Sequence, residues 1–253
     1  QMVFSQCEED AQGNCLKNPD GTTKYKARGL TDAQDAEALN FVVSKGVKVI
    51  NNSWGVDASW SQSMTAAASS YASTAPKVTA ALINAVDKGA VVVFAAGNSS
   101  IAWPEAPGTL PSVNSSLLNK GGWIIVASTT NRGVNPDTGA IEMAQFRTNL
   151  SAPAQPTDNY TSYCGDAKNY CISAPGGYVN PGQPGADVGM SGALAGTTDS
   201  YNKGNGTSYA APVVTGAVAL VAEKYPWMTN KNLSTTILTT GTTASTPSAV
   251  WGR

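Results

Sequence analysis

Three short runs rich in Val and Ile constrain the fold of this chain more than any other feature: "VKVINNSW" (47–54), "VVVFAAGN" (91–98) and "WIIVAST" (123–129). Each is too uniformly apolar for a strand with one wet face and too short for a helix, so each reads as a strand buried on both sides. Helical stretches separate and follow them. "TDAQDAEALNFVVSKG" (31–46) offers Thr31 as an N-cap, early acids and Gly46 as a stop. "PKVTAALINAVDKGA" (76–90) reads as a helix that begins at its proline. Near the end, "SYAAPVVTGAVALVAEKYP" (208–226) is apolar nearly all round, which predicts a helix buried in the middle of the fold. "TNKNLSTTILTTG" (229–241) gives a last helix capped at Thr229. The strand–helix–strand order predicts an α/β fold with a mostly parallel central sheet and helices on both faces. The length suits one domain over 1–253. Other segments are less informative: "QMVFSQ" (1–6) reads as a short strand, and 60–88 is Ala/Ser-rich, divided by Pro76. A long Pro/Ser/Asn loop runs to about Lys120, and 131–200 is loop-rich with a short strand at "YCISAP" (170–175).

Composition narrows the function by exclusion. With 16 basic and 17 acidic residues the formal charge is −1, which gives no electrostatic footprint for nucleic acid or a membrane surface. Four cysteines allow three pairings. The simplest joins Cys7 to Cys15 and Cys164 to Cys171 across the polar intervals "CEEDAQGNC" and "CGDAKNYC", and fits an oxidising compartment. The other pairings, or four reduced thiols, stay open. Neither interval has metal-knuckle spacing, the chain has no histidine, and no acidic cluster has convincing calcium-ligand spacing, so no cofactor is expected.

Three segments together carry the chemistry. "INNSWG" (50–55) and "FAAGNSS" (94–100) sit just beyond the C-terminal ends of predicted parallel strands, where open α/β sheets bind ligands. "NGTSYAAP" (205–212) opens the long helix, placing Ser208 beside free backbone N–H groups and the positive end of the helix dipole. A tetrahedral intermediate needs fixed donors for its oxyanion, and the Ser208 N–H and the Asn98 amide are candidates. Taken singly, each feature has a plainer reading. Gly-Thr-Ser is more often a turn and cap, Asn after Ala-Gly a turn residue, and Ser53 a strand end.

In that order and context the segments resemble the subtilisin-like serine proteases, the subtilases: "VINNSWG" their substrate-binding strand, "VVVFAAGN" their oxyanion segment, "GTSYAAP" their nucleophile motif. "CGDAKNYCISAPGG" and "KYPWMTNKNLSTTILTTGT" resemble the bacterial autotransporter branch, whose members display a protease passenger at the outer membrane. The resemblance implies a secreted or cell-surface endopeptidase acting on polypeptides through an acyl-enzyme, with a C-terminal outer-membrane β-barrel possible in the precursor. It assigns Ser208 as nucleophile, shaped by Gly206 and Thr207, and Asn98 as oxyanion donor. Ser53, Trp54 and Gly55 would pair with an extended substrate and line one wall of the specificity pocket. Ala95, Ala96 and Gly97 would form the facing wall, and Thr207 adjoins the same site. Small walls leave room for a bulky apolar side chain, and no charge is legible there from the sequence.

The family presents its triad in the order Asp, His, Ser. "MVFSQ" resembles the strand after the family's His-bearing helix, and "AVWGR" stops where the family continues into a final helix. The expectation is therefore a C-terminal larger part of a catalytic domain, whose Asp and His lie on an upstream fragment. Lys203 is not obviously placed as a substitute base. Two other readings compete. A catalytically inactive passenger of the same fold would serve adhesion or peptide binding. An esterase of the α/β-hydrolase type would need a His after the serine, and none follows Ser208.

Overall fold

In the computed structural model, the structure describes residues 31–57, 59, 61–134, 141–143, 160–177, 190–193 and 201–253, with 6–7, 10, 12, 14, 17, 19 and 25–26 ahead of them. Cys15 and most of the N-terminal strand expected over 1–6 lie outside the described residues. At that end β1 (Gln6–Cys7) pairs antiparallel with β2 (Tyr25–Lys26).

The central sheet holds β3 (Val49–Asn52), β4 (Val91–Ala95), β5 (Trp123–Val134) and β7 (Cys171–Pro175), parallel and in the order β3-β4-β5-β7. β6 (Ile141–Met143) runs antiparallel to the far part of β5. β8 (Met190–Ala193) and β9 (Tyr201–Gly204) form a separate antiparallel pair. Every residue of β4 is buried, from Val91 at 0% to Ala95 at 6% exposure. Side chains alternate between sheet faces, so both faces of β4 are covered. α5 (Thr207–Lys224) packs along β3, β4, β5 and β7, and α3 (Pro76–Asp87) packs on β4 and against α1 (Asp32–Ser44). The core is Val, Ile and Ala from the strands, with Phe94 stacked on Trp123.

Local chemistry sets the helix ends. Thr31 and Gln34 form a reciprocal capping box on α1. α3 has Pro76 in its first turn and no side-chain cap of its own, and the Asp32 carboxylate of α1 accepts from Lys77 N at 3.1 Å and Val78 N at 2.8 Å instead. One carboxylate thus starts α1 and caps its neighbour. α6 (Asn230–Thr239) is capped by Thr229, whose hydroxyl accepts from Asn232 N.

Four features differ from expectation. β3 is not buried on both sides: as an edge strand among the described residues it leaves Val49 and Ile50 half-buried and Asn51 exposed. The Ala/Ser-rich stretch contains α2 (Met64–Thr74), capped by Ser63. Its buried Met64, Ala67, Ala68 and Tyr71 do follow helical spacing, but the intervening Ala and Ser residues blur the contrast between faces. The long loop before the third strand holds α4 (Ser115–Lys120). α5 is not buried all round. Ala210, Ala211, Val214, Val218 and Ala222 face the sheet, whereas Val213 is 42% and Leu220 68% exposed. Its apolar composition conceals a one-sided helix.

Candidate functional site

The C-terminal ends of β3, β4 and β7 lie along one edge of the sheet, and the N-terminus of α5 meets them there. Ser208 occupies the first turn of α5 and is half-buried. Its hydroxyl donates to Ser53 O at 3.2 Å, while Ser53 Oγ donates to Ser208 O at 2.8 Å. The second bond depends on sequence. Residue 212 would ordinarily donate its N–H to the carbonyl of residue 208, but it is proline and has no N–H. The freed Ser208 carbonyl takes the Ser53 hydroxyl. Asn51 Nδ2 in turn donates to Ser53 Oγ at 2.9 Å, so the end of β3 and the start of α5 are tied by a chain of polar contacts.

The turn into α5 is fixed from below. Gly206 has φ 136°, a region open to glycine, and its N–H donates to Gly176 O at 2.9 Å. Tyr160, 1% exposed, donates from its hydroxyl to Gly177 O at 2.7 Å and stands 2.8 Å from Ser128 Oγ. Burial pushes the Tyr160 phenol up to about 12, so it remains a neutral donor through the physiological range.

Asn98 lies directly beside this turn. Its Oδ1 accepts from Thr207 N at 2.9 Å and Thr207 Oγ1 at 3.1 Å. Both amide atoms lie 3.5 Å from where a Cβ on Gly206 would sit. With Oδ1 held by Thr207, the Nδ2 donor has no partner among the described residues, and Asn98 is exposed. The first N–H groups of a helix have no intrahelical acceptor. The Ser208 N–H and Asn98 Nδ2 both lie beside Gly206, 3.7 and 3.5 Å from where its Cβ would sit, two donors near the head of the helix that carries Ser208.

The other residues expected at the site fall into two groups. Ser53, Trp54 and Gly55 run between the end of β3 and the antiparallel bridge of Val56 with Ala106, without a ladder partner among the described residues. Trp54 and Gly55 are exposed, and Trp54 rests edge-on against Phe94. Ala95, Ala96 and Gly97 are buried. Gly97 N donates to Thr207 Oγ1 at 3.1 Å, and Ala96 O accepts from Glu105 N at 2.7 Å. Thr207 is wholly buried, and its hydroxyl bonds Gly97 and Asn98, so its place is to position those residues.

One residue was not legible in the sequence. Glu105 is half-buried and brings its carboxylate between the two walls. Its Oε1 accepts from Asn98 N at 3.2 Å and Ser99 Oγ at 2.7 Å. A Cβ on Gly97 would fall 2.1 Å from Glu105 Cδ, and one on Gly55 would fall 3.2 Å from Glu105 Oε2. In "AWPEAPG" nothing in spacing or periodicity returns this side chain to Asn98, because an irregular loop carries it there.

Behind Trp54 lies a cavity of about 320 Å³, lined by Asp32, Asp35, Trp54, Ser70 and Tyr71 among others. Burial, then the neighbouring Asp32, raises the Asp35 carboxyl, and burial raises the Tyr71 phenol. Among the described residues no three His, Cys, Asp or Glu side chains gather to hold a metal ion. Cys164 and Cys171 form a disulfide with Cα atoms 5.8 Å apart. The pairing expected for Cys7 and Cys15 lies outside the described residues. No helix among the described residues is long and apolar enough to cross a membrane.

Known proteins resemble this chain in sequence and fold. The profile of the Subtilase family, peptidase S8, matches residues 19–251. The extracellular serine protease of Serratia marcescens is 33% identical over 175 residues, covering 64% of this chain and 14% of that protein. The Neisserial autotransporter lipoprotein NalP of Neisseria meningitidis serogroup B is 29% identical over 156 residues, covering 61% of this chain and 12% of that protein. A solved protease from Pseudoalteromonas arctica superposes with a TM-score of 0.53 at 25% identity, over 84% of this chain and 52% of the other. The chain thus spans a small part of those curated relatives and about half of the solved one.

Proposed function

This chain belongs to the subtilase family, and from that premise we propose that it forms the serine-bearing part of a secreted or cell-surface serine endopeptidase. The observation that carries the reading is the convergence of Ser208 with two oxyanion donors, its own N–H and Asn98 Nδ2, at the C-terminal edge of a parallel sheet. Ser208 Oγ attacks the carbonyl carbon of a peptide bond. As the C–O bond forms, the carbonyl oxygen takes the negative charge and receives the two N–H donors. Collapse breaks the C–N bond, the amine leaves with the proton first taken from Ser208, and the ester left on Ser208 is then hydrolysed by water. The substrate is an extended polypeptide lying along Ser53, Trp54 and Gly55.

The Ser208 proton needs an acceptor. In the structure its hydroxyl donates to a carbonyl, Ser53 O, which is not a base. The 253 residues contain no histidine, so the imidazole comes from polypeptide outside them, and the family's order of Asp, His, Ser puts its orienting carboxylate there too. β3 supports this, because among the described residues it pairs on one side only, with β4. Its other edge, with half-buried Val49 and Ile50, is where the segment carrying Asp and His adds its strand. The disulfide fits an oxidising compartment. The likeness to an autotransporter lipoprotein supports export with an outer-membrane β-barrel in the precursor.

The test is hydrolysis of an unfolded protein such as reduced casein by the natural full-length protein and its Ser208→Ala variant. Cleavage that disappears in the variant is expected. Peptide binding without cleavage by the full-length protein would instead support a catalytically inactive passenger.

A further inference from the structure

We propose that Glu105 makes this site select substrates with a cationic side chain, Lys or Arg, immediately before the scissile bond. The inference rests on the hydrolytic reading of Ser208. Ser53–Gly55 adjoin the Ser208 turn on one side and Gly97–Asn98 on the other. The first wall is tied to Ser208 through Ser53, and the second is joined to the same helix end through Thr207. Glu105 spans the two walls, close enough that a Cβ on Gly97 would lie 2.1 Å from its Cδ and one on Gly55 3.2 Å from its Oε2. Gly97 has φ 104°, so its lack of a side chain serves both its backbone shape and the approach of the carboxylate.

A purely structural role accounts for only half of this carboxylate. Oε1 holds Asn98 N and Ser99 Oγ, whereas Oε2 has no hydrogen bond among the described residues and faces Gly55. Among the described residues no Lys or Arg pairs with Glu105. A substrate side chain entering between the walls displaces water from Oε2. An apolar side chain would leave a desolvated charge without a partner, while a guanidinium or ammonium supplies one with charge-assisted hydrogen bonds. The two glycines match this demand, since a side chain at either would press on the carboxylate and cover it.

The experiment uses the natural full-length protein and matched peptides that differ only in the residue before the scissile bond: Lys, Arg, Leu or Phe. The expected kcat/KM is greater for Lys and Arg by on the order of 100-fold. Glu105→Gln, which keeps an oxygen to accept from Asn98 N and Ser99 Oγ, should bring that ratio near unity. Glu105→Asp, which keeps the charge, should preserve the preference. Binding of p-aminobenzamidine, followed by its fluorescence, supplies an arm that needs no turnover and should weaken at least tenfold in Glu105→Gln. Preference of the unaltered protein for Leu or Phe, or a ratio unchanged by Glu105→Gln, overturns the assignment while leaving the hydrolytic reading intact. If no peptide is cleaved, the hydrolytic reading fails. In that case Glu105-dependent benzamidine binding upholds the cation pocket, and its absence removes it.

Discussion

Asn98 combines two tasks in one amide, and they can be separated. Oδ1 anchors Thr207 at the head of α5, and Nδ2 is left to donate. Asn98→Asp keeps an oxygen for Thr207 but replaces the donor. The expected outcome is a fall in kcat of about 100- to 1000-fold with little change in KM, measured on peptide substrates. Unfolding temperature should change far less, because the anchor remains. Tyr160 gives a second prediction at this scale. Its folded-state value, about 12, lies above the 10.0 of an exposed phenol. The stability linked to it is fully present below pH 10 and is lost as pH rises toward 12, since the unfolded chain releases its proton first. Denaturant titrations across that window should show a steep alkaline loss of stability that is shallower in Tyr160→Phe. Among the residues read from sequence, Ser208, Asn98, Ser53 and Gly97 do come together, because each sits next to a strand end or helix start whose position periodicity reveals. Glu105 was hidden because an irregular loop has no periodicity to read.

Pro212 links the elements of the site. By withholding an N–H it leaves the Ser208 carbonyl to Ser53 Oγ, which joins α5 to the end of β3. Pro212→Ala restores an intrahelical donor that competes with Ser53. Turnover is expected to fall about tenfold or more through misplacement of Ser208, while the unfolding temperature does not drop. A variant that loses turnover together with stability would show that the proline acts through packing alone. β3, β4 and β5 were legible from their Val and Ile runs, α1 and α6 from their caps, and α3 from its leading proline. α2 escaped notice because Ala and Ser give weak contrast between its faces. α5 misled for a related reason: Val213 and Leu220 are apolar, yet only contacts decide that they face outward.

At the scale of the whole molecule, the account requires a second stretch of polypeptide. Among the described residues β3 is an edge, and the Ser208 hydroxyl bonds a carbonyl and no base. Hydrogen exchange should find the β3 amides, 49–52, more protected in the full-length protein than in these 253 residues alone. Equal protection in both would argue against a strand added there. The open edge follows from sheet order, which no local stretch of sequence encodes.

Activation of Ser208 as a nucleophile by groups outside this chain can be read by fluorophosphonate labelling followed by mass spectrometry of the modified peptide. The account predicts rapid labelling of Ser208 in the full-length protein, and a rate slower by on the order of a million-fold in these 253 residues alone. Labelling at another residue, or equally fast labelling of Ser208 in the 253 residues alone, would contradict it.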